Sequence, residues 1–425
     1  MTRHSPGRRT DRLSRRAFLA AGAAATGALA GCIGGDDEDG NGNGGNGNGG
    51  NETNGDEGDG EPSSPDVVNS SNAPTTPSVE DPPDAVYLPT HQESMEHLGT
   101  VEAGEYAVMP MLTYPHKFWL VSGTEREAVT PDSTGVHLMA TVWDAETGEV
   151  LPVDTGAQLR LTRDGDLVDQ RAPWPMISQT MGFHFGDNVP LPEQGTYTVE
   201  FDLTPIGGDT VRKTGEFADR FTEPRTVRFE FEFDQEFQES VVNGVEYLEE
   251  DRWGDRGALE PMAGMGGMNG EMEDGAGDDD MDDGGDGNGS EGGMEMSMPF
   301  SALQPADAYP GTDLGTPASG DATFVVRYLT ETRLTDGSSG YLLVSPRTPY
   351  NRVPLADTAL AVEGALEGEL IQTLDSELGH HYGIAGDLAL DEQLDLIVES
   401  PPQVARHRGY ETAFLEMPSM GVEVP

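Results

Sequence analysis

Soft sulfur and imidazole nitrogen fall close together in one segment of this sequence, Trp174-Pro175-Met176-Ile177-Ser178-Gln179-Thr180-Met181-Gly182-Phe183-His184-Phe185-Gly186-Asp187-Asn188-Val189. Neutral imidazole suits copper, iron and zinc, while thioether sulfur favours Cu(I). The proline and glycines are expected to make this segment a shaped loop rather than a strand, letting Met176 and His184 converge on one point. Five of the nine histidines lie in the same part of the chain, at His91, His97, His116, His137 and His184. His116, in Tyr114-Pro115-His116-Lys117-Phe118, and His137, in Val136-His137-Leu138-Met139, are expected to reach the site from neighbouring strands. His91 and Glu93 stand behind them as further candidates.

A second soft-metal signal is a run of methionines. Eight of seventeen fall between 262 and 298, at Met262, Met265, Met268, Met272, Met281, Met294, Met296 and Met298, in a segment otherwise rich in Gly and Asp. Such spacing lets an extended chain wrap thioethers around Cu(I), and the intervening carboxylates attract cations. Other chemistries lack support. A single cysteine excludes an intrachain disulfide and a thiolate cage. No G-x-S-x-G, H-E-x-x-H or phosphate-binding glycine loop is present, so no enzymatic activity is expected.

The elements that must hold these residues read as all-β. Thr196-Tyr197-Thr198-Val199-Glu200-Phe201-Asp202-Leu203 and Arg228-Phe229-Glu230-Phe231-Glu232-Phe233 alternate polar and apolar side chains, the pattern of a half-buried strand. Val136–Trp143, Gln158–Thr162, Thr323–Tyr328 and Leu394–Glu399 add strands, with turn signals at Thr147-Gly148, Asp164-Gly165 and Gln194-Gly195. The expectation is two immunoglobulin-like β-sandwich domains, at 84–248 and 300–425. Residues 33–83 and 249–299 carry too few large apolar side chains to offset chain entropy, so they are expected as a disordered acidic tether and a Met-rich acidic linker. The two sandwiches look like diverged repeats. Met181-Gly182-Phe183-His184-Phe185-Gly186 aligns with Leu378-Gly379-His380-His381-Tyr382-Gly383, and Leu151-Pro152-Val153-Asp154 with Pro354-Leu355-Ala356-Asp357. The second repeat keeps His381 but has no counterpart of Met176. It is expected to be structural, the alternative being a separate set of His380, His407, Met417 and Met420.

The N-terminus carries an address. Six Arg within the first sixteen residues precede an apolar run, Ala17 to Ala30, that is too short to span a bilayer. Ser14-Arg15-Arg16-Ala17-Phe18-Leu19 resembles a twin-arginine export motif, and Leu29-Ala30-Gly31-Cys32 resembles a lipobox with Cys32 as the lipidated residue. Residues 1–32 are therefore expected as a lipoprotein signal, placing the protein on the extracellular face of the cell membrane, held by lipid alone. Among the 425 residues, 77 acids against 24 bases give a formal net charge of −53. That surface repels nucleic acid and points to a haloarchaeal type of high-salt setting, where the charge is screened.

Met176, Gly182-Phe183-His184-Phe185-Gly186-Asp187-Asn188-Val189 and Gly195-Thr196-Tyr197-Thr198-Val199 resemble the bacterial periplasmic iron-transport-associated proteins, over about residues 105–205 and more faintly in the second domain. The resemblance implies an immunoglobulin-like sandwich, often dimeric, that binds copper through Met and His and supports iron uptake. Met176 and His184 match that family's ligands, although the gap between them is one residue longer here. It further implies copper or iron as the bound ion, an iron permease as partner, and a homodimer. A structural or adhesive surface lipoprotein, with histidines serving only the fold, is the competing reading.

Overall fold

The computed structural model describes residues 71–262 and 298–424, apart from 209, 331, 336–338, 390 and 391. The signal, Cys32 and linker residues 263–297 lie outside the described residues. No helix among the described residues is long and apolar enough to cross a membrane.

Alternation in the sequence becomes burial in the sheets. Strand Gly195–Leu203 pairs along its whole length with Arg225–Phe233, Val199 opposite Phe229 and Phe201 opposite Val227. Tyr197, Val199, Phe201, Leu203, Val227, Phe229, Phe231 and Phe233 are all buried, while the residues between them lie at or near the surface. Gln158–Arg163 and Asp166–Arg171 complete a four-stranded sheet. Between these last two, Asp164 and Gly165 take φ of 52° and 87°, the left-handed pair that a tight hairpin turn requires.

This sheet packs on a nine-stranded one whose centre runs Tyr106–Thr113, Gly135–Asp144, Gly182–Pro190, Trp174–Ser178. Val108, Leu112, Leu138, Ala140, Phe183 and Phe185 join the small sheet's apolar side chains in one core, which makes the first half a sandwich. Side chains of a strand alternate between faces, so His137 and Met139 point away from this core. On that outer face Met139 clusters with Met109, Met111, Trp143, Met181 and Met298. The strands Tyr106–Thr113 and Gly135–Asp144 are consequently buried on both faces.

The second half is a curled ten-stranded sheet. It includes Ala322–Leu329, Tyr341–Arg347, Gly379–Ala385, Gly368–Asp375, Ala359–Gly364 and Gln393–Ser400 in that order. The described residues belong to one compact unit spanning 67–425, and the halves exchange strands. Val211–Thr214 of the first half runs parallel to Gly368–Asp375 of the second. In return, Ala405–Arg406 runs parallel to Trp174–Ser178 and pairs on its other side with Phe118–Ser122.

Parts of the expected tether and linker carry contacts. The Asn72 amide bonds the Gly135 backbone in both directions, at 3.0 and 3.1 Å. The Pro77 carbonyl accepts from Thr90 Oγ1 at 2.9 Å, and Leu88 N–H donates to Asp255 O at 2.9 Å.

Candidate metal centre

The segment Trp174–Val189, expected as a loop, is a β-hairpin. Trp174–Ser178 and Gly182–Pro190 pair antiparallel with Met176 directly opposite His184. Pro175 is accommodated within the short first strand, and Gly182 (φ 70°) closes the turn. The convergence expected from a loop is achieved by cross-strand register, which brings facing side chains together. The next strand adds His137, opposite Asn188. Met176, His184 and His137 therefore project from one face of the sheet, the face turned from the core.

Hydrogen bonds set which ring nitrogens are free. Asn188 Oδ1 accepts the His116 backbone N–H at 3.1 Å, and its Nδ2 donates to the His116 carbonyl at 2.8 Å, which fixes the amide's orientation. His137 Nδ1 lies 3.0 Å from the same Oδ1 and must be the donor, leaving Nε2 with a lone pair and no partner. His184 Nδ1 donates to the Gly182 carbonyl at 3.1 Å, which leaves the lone pair on Nε2. Such bonds to the distal nitrogen orient and tautomerise metal-ligating imidazoles. His116 is buried with neither ring nitrogen partnered, and its ring centroid is 4.1 Å from that of His137.

His407 completes the cluster. Its Nε2 lies 3.2 Å from His184 Nε2 and 3.3 Å from Met176 Sδ. Ligating atoms of His116, His137 and His407 all fall within 4.8 Å of one another, the one such group of three among the described residues. Its backbone N–H donates to Ile177 O at 3.1 Å, so the lent strand docks it beside the hairpin. Sequence reasoning had grouped His407 with His380, Met417 and Met420 of the second domain, and that set is not formed. His380 contacts Gln372, while Met417 and Met420 belong to the apolar core. A two-residue strand has no periodicity to betray it, so nothing in the sequence assigns His407 to the first half.

Burial governs the electrostatics. It lowers the imidazolium pKa of His137 to about 3 and of His184 to about 4. His116 and His407 are also held well below the ordinary value, first by burial and then by neighbouring imidazoles. All four rings are neutral at pH 7, the state in which they ligate. Gly186 keeps the space open. A Cβ there would sit 2.8 Å from Met176 Sδ and 3.1 Å from His137 Nε2. Unpartnered buried nitrogens, a thioether and an open cradle together fit a soft or borderline transition-metal ion.

The second half repeats this geometry with different side chains. Thr373 opposes His381 as Met176 opposes His184, and His381 Nδ1 donates to Gly379 O at 3.0 Å. Tyr341, opposite Ala385, takes the register position of His137, and its hydroxyl lies 3.3 Å from His381 Nε2. On the strand lent by the first half, Arg212 pairs with Thr373 as Ala405 pairs with Met176, so Thr214 stands where His407 would be. Thr214 Oγ1 bonds Asp375 Oδ2 at 2.6 Å. Hydroxyls have replaced the sulfur and two imidazoles.

Comparison with known proteins bears out the resemblance for part of the chain. Residues 145–235 match the family model described as Fe2+ transport protein. Residues 307–423 match that of a domain of unknown function, DUF7350. The first match includes Met176 and His184 and stops short of His116, His137 and His407. No curated protein matches the chain. Among solved structures, FetP of uropathogenic E. coli strain F11 is 20% identical over 33% of this chain and 96% of its own, with a TM-score of 0.27. A copper-bound variant of FetP is 21% identical, covering 33% and 97%, also at 0.27. The copper-reconstituted P19 protein of Campylobacter jejuni is 16% identical, covering 33% and 96%, at 0.27.

Proposed function

We propose that this chain is a metal-binding accessory protein for copper or iron handling at the cell surface, with one site built from Met176, His184, His137, His116 and His407. The observation that carries the reading is the convergence of His116, His137 and His407 ring nitrogens beside the Met176 thioether in a buried pocket, where the unpaired nitrogens of His116 and His137 are otherwise costly. A cation bound there would satisfy His137 Nε2 and one ring nitrogen of His116, atoms that the fold leaves without hydrogen bonds. Thioether with several imidazoles favours copper over zinc or magnesium, and the match to a ferrous-iron transport family supports a role beside an iron permease. The second half, with hydroxyls at the matching positions, is a structural repeat in this reading. Lipidation of Cys32 would hold the protein at the outer membrane face.

Elemental analysis of the full chain purified from its native host tests this. The expected result is about one copper or iron per chain, lost from a Met176→Ala/His184→Ala variant whose circular dichroism is unchanged. Metal content that the double substitution leaves intact would sink the site, and a chain free of metal in both forms would favour a structural or adhesive role.

A further inference from the structure

A separate cavity lies on the other face of the strand Phe118–Ser122. Phe118 packs with Met176 and Ala405 on the metal side. Side chains alternate along a strand, so Lys117 and Trp119 point the opposite way, and the Lys117 ammonium sits over the Trp119 ring, 5.1 Å from its centroid. The neighbouring strand Glu125–Val129 sets Arg126 directly opposite Val121, on the same face as Trp119. Together with Arg408, these side chains line a cavity of about 220 Å³. Its lining, among the described residues, holds neither sulfur nor imidazole, so it is no part of the metal centre.

The charge of this cavity is unlike that of the rest of the chain. Three bases, Lys117, Arg126 and Arg408, face one acid, Glu411, in a sequence where acids outnumber bases 77 to 24. Glu411 is buried and already committed: one carboxylate oxygen accepts the Tyr87 hydroxyl, the other the Gly409 N–H at 2.7 Å. Bases elsewhere are paired, and Arg171, Arg220 and Arg333 each hold two or more carboxylates. Among the described residues the cavity bases make no ion pair, although Lys117 and Arg408 are half-buried. Arg126 donates from Nη1 to the Glu411 carbonyl at 2.9 Å, and Arg408 from Nη1 to Pro77 O at 3.0 Å and Thr76 Oγ1 at 3.5 Å. Each guanidinium keeps its Nε–Nη2 edge, the fork that matches a carboxylate or a phosphate.

We infer that Lys117, Arg126 and Arg408 form a binding site for a small organic dianion, a dicarboxylate or a phosphate monoester. Like charges gathered round one cavity concentrate a counter-ion there. Three cations against one committed acid call for more than a single negative group. Trp119, Val79, Pro82 and Pro89 supply apolar walls, which favour an organic body over a bare inorganic ion. A volume of about 220 Å³ falls below the about 300–1,000 Å³ of pockets for drug-sized molecules, so the ligand is a small acid rather than a nucleotide. The site uses none of the metal ligands and stands whether or not the metal reading does.

Equilibrium dialysis of the full chain against radiolabelled succinate or glycerol 3-phosphate tests it, in about 1 M NaCl to screen the acidic surface. Saturable uptake of one equivalent is expected, and the tighter of the two probes assigns the anionic group. Propionate, with a single charge, and sulfate, with no apolar body, should compete at least about tenfold more weakly. Arg126→Gln, at an exposed side chain, and Lys117→Met should each weaken binding about tenfold and leave the melting temperature near that of the wild type. Met176→Ala/His184→Ala should bind the anion as the wild type does, which separates this site from the metal centre. No saturable uptake of either probe, sulfate competing as well as the organic anions, or wild-type affinity in both Arg126→Gln and Lys117→Met would overturn the site.

Discussion

Neutral imidazoles buried beside one another make this protein sensitive to acid in a defined window. An unfolded histidine binds its proton near pH 6.5, whereas His184 resists until about pH 4 and His137 until about pH 3. As pH falls below 6.5 the unfolded chain takes up protons first, so native stability drops, by about 1.4 kcal/mol per pH unit for each such group. Glu149 runs the other way. Burial pushes its carboxyl up to about 7, so it contributes stability at low pH that is lost as pH rises. The histidine part is therefore read as a difference. Thermal melts of metal-free protein at pH 7, 6 and 5 should fall more steeply for the wild type than for His137→Gln. Parallel curves would show that His137 does not hold its low value. Of these residues, Met176, His184, His116 and His137 were legible because sulfur and imidazole are rare enough to stand out. His407 was not, since its position depends on a strand crossing between halves rather than on any neighbour in sequence.

Strand alternation was the most legible feature of the elements. The paired strands Gly195–Leu203 and Arg225–Phe233 follow directly from period-two hydrophobicity. The hairpin Trp174–Pro190 was misread because Pro175 and two glycines argue for a loop on composition. Their actual work is local: Gly182 closes the turn, and Gly186 clears space for sulfur and imidazole. The short strand Ala405–Arg406 is held by means no pattern reveals. Arg406 is fully buried and donates to the carbonyls of Pro402 (3.1 Å), Tyr410 (3.4 Å), Ala413 and Phe414 (3.4 Å). One guanidinium thus shapes the loop that carries His407. Replacing it with leucine keeps much of the volume but leaves buried acceptors unsatisfied, each costing about 1–3 kcal/mol before relaxation. Arg406→Leu is expected to lower the melting temperature by several degrees and to lose metal, whereas His407→Gln should lose metal with little change in melting. Retention of both stability and metal by Arg406→Leu would show that the loop is held by its other contacts.

Charge acts over the whole molecule, and it is coupled to the strand exchange. The formal charge of −53 is spread over a chain whose halves are stitched together by Val211–Thr214 and Ala405–Arg406, each only a few residues long. Like charges destabilise a compact state through mutual repulsion, and salt shortens the range of that repulsion from about 10 Å at 0.1 M to about 3 Å at 1 M. The centre sits where the halves meet, since His407 comes from one and Met176, His137 and His184 from the other. Repulsion that loosens this junction should therefore release metal before it unfolds the sheets of either half. Lowering NaCl from about 2 M to about 0.1 M is expected to weaken metal affinity first, and to lower the melting temperature only at the bottom of the range. Dialysis against a metal-buffered series, run beside calorimetric melts at each salt, separates the two steps. Affinity that holds constant while the melting temperature falls would place the weak point inside a half, and leave the short lent strands as firm as the sheets they join.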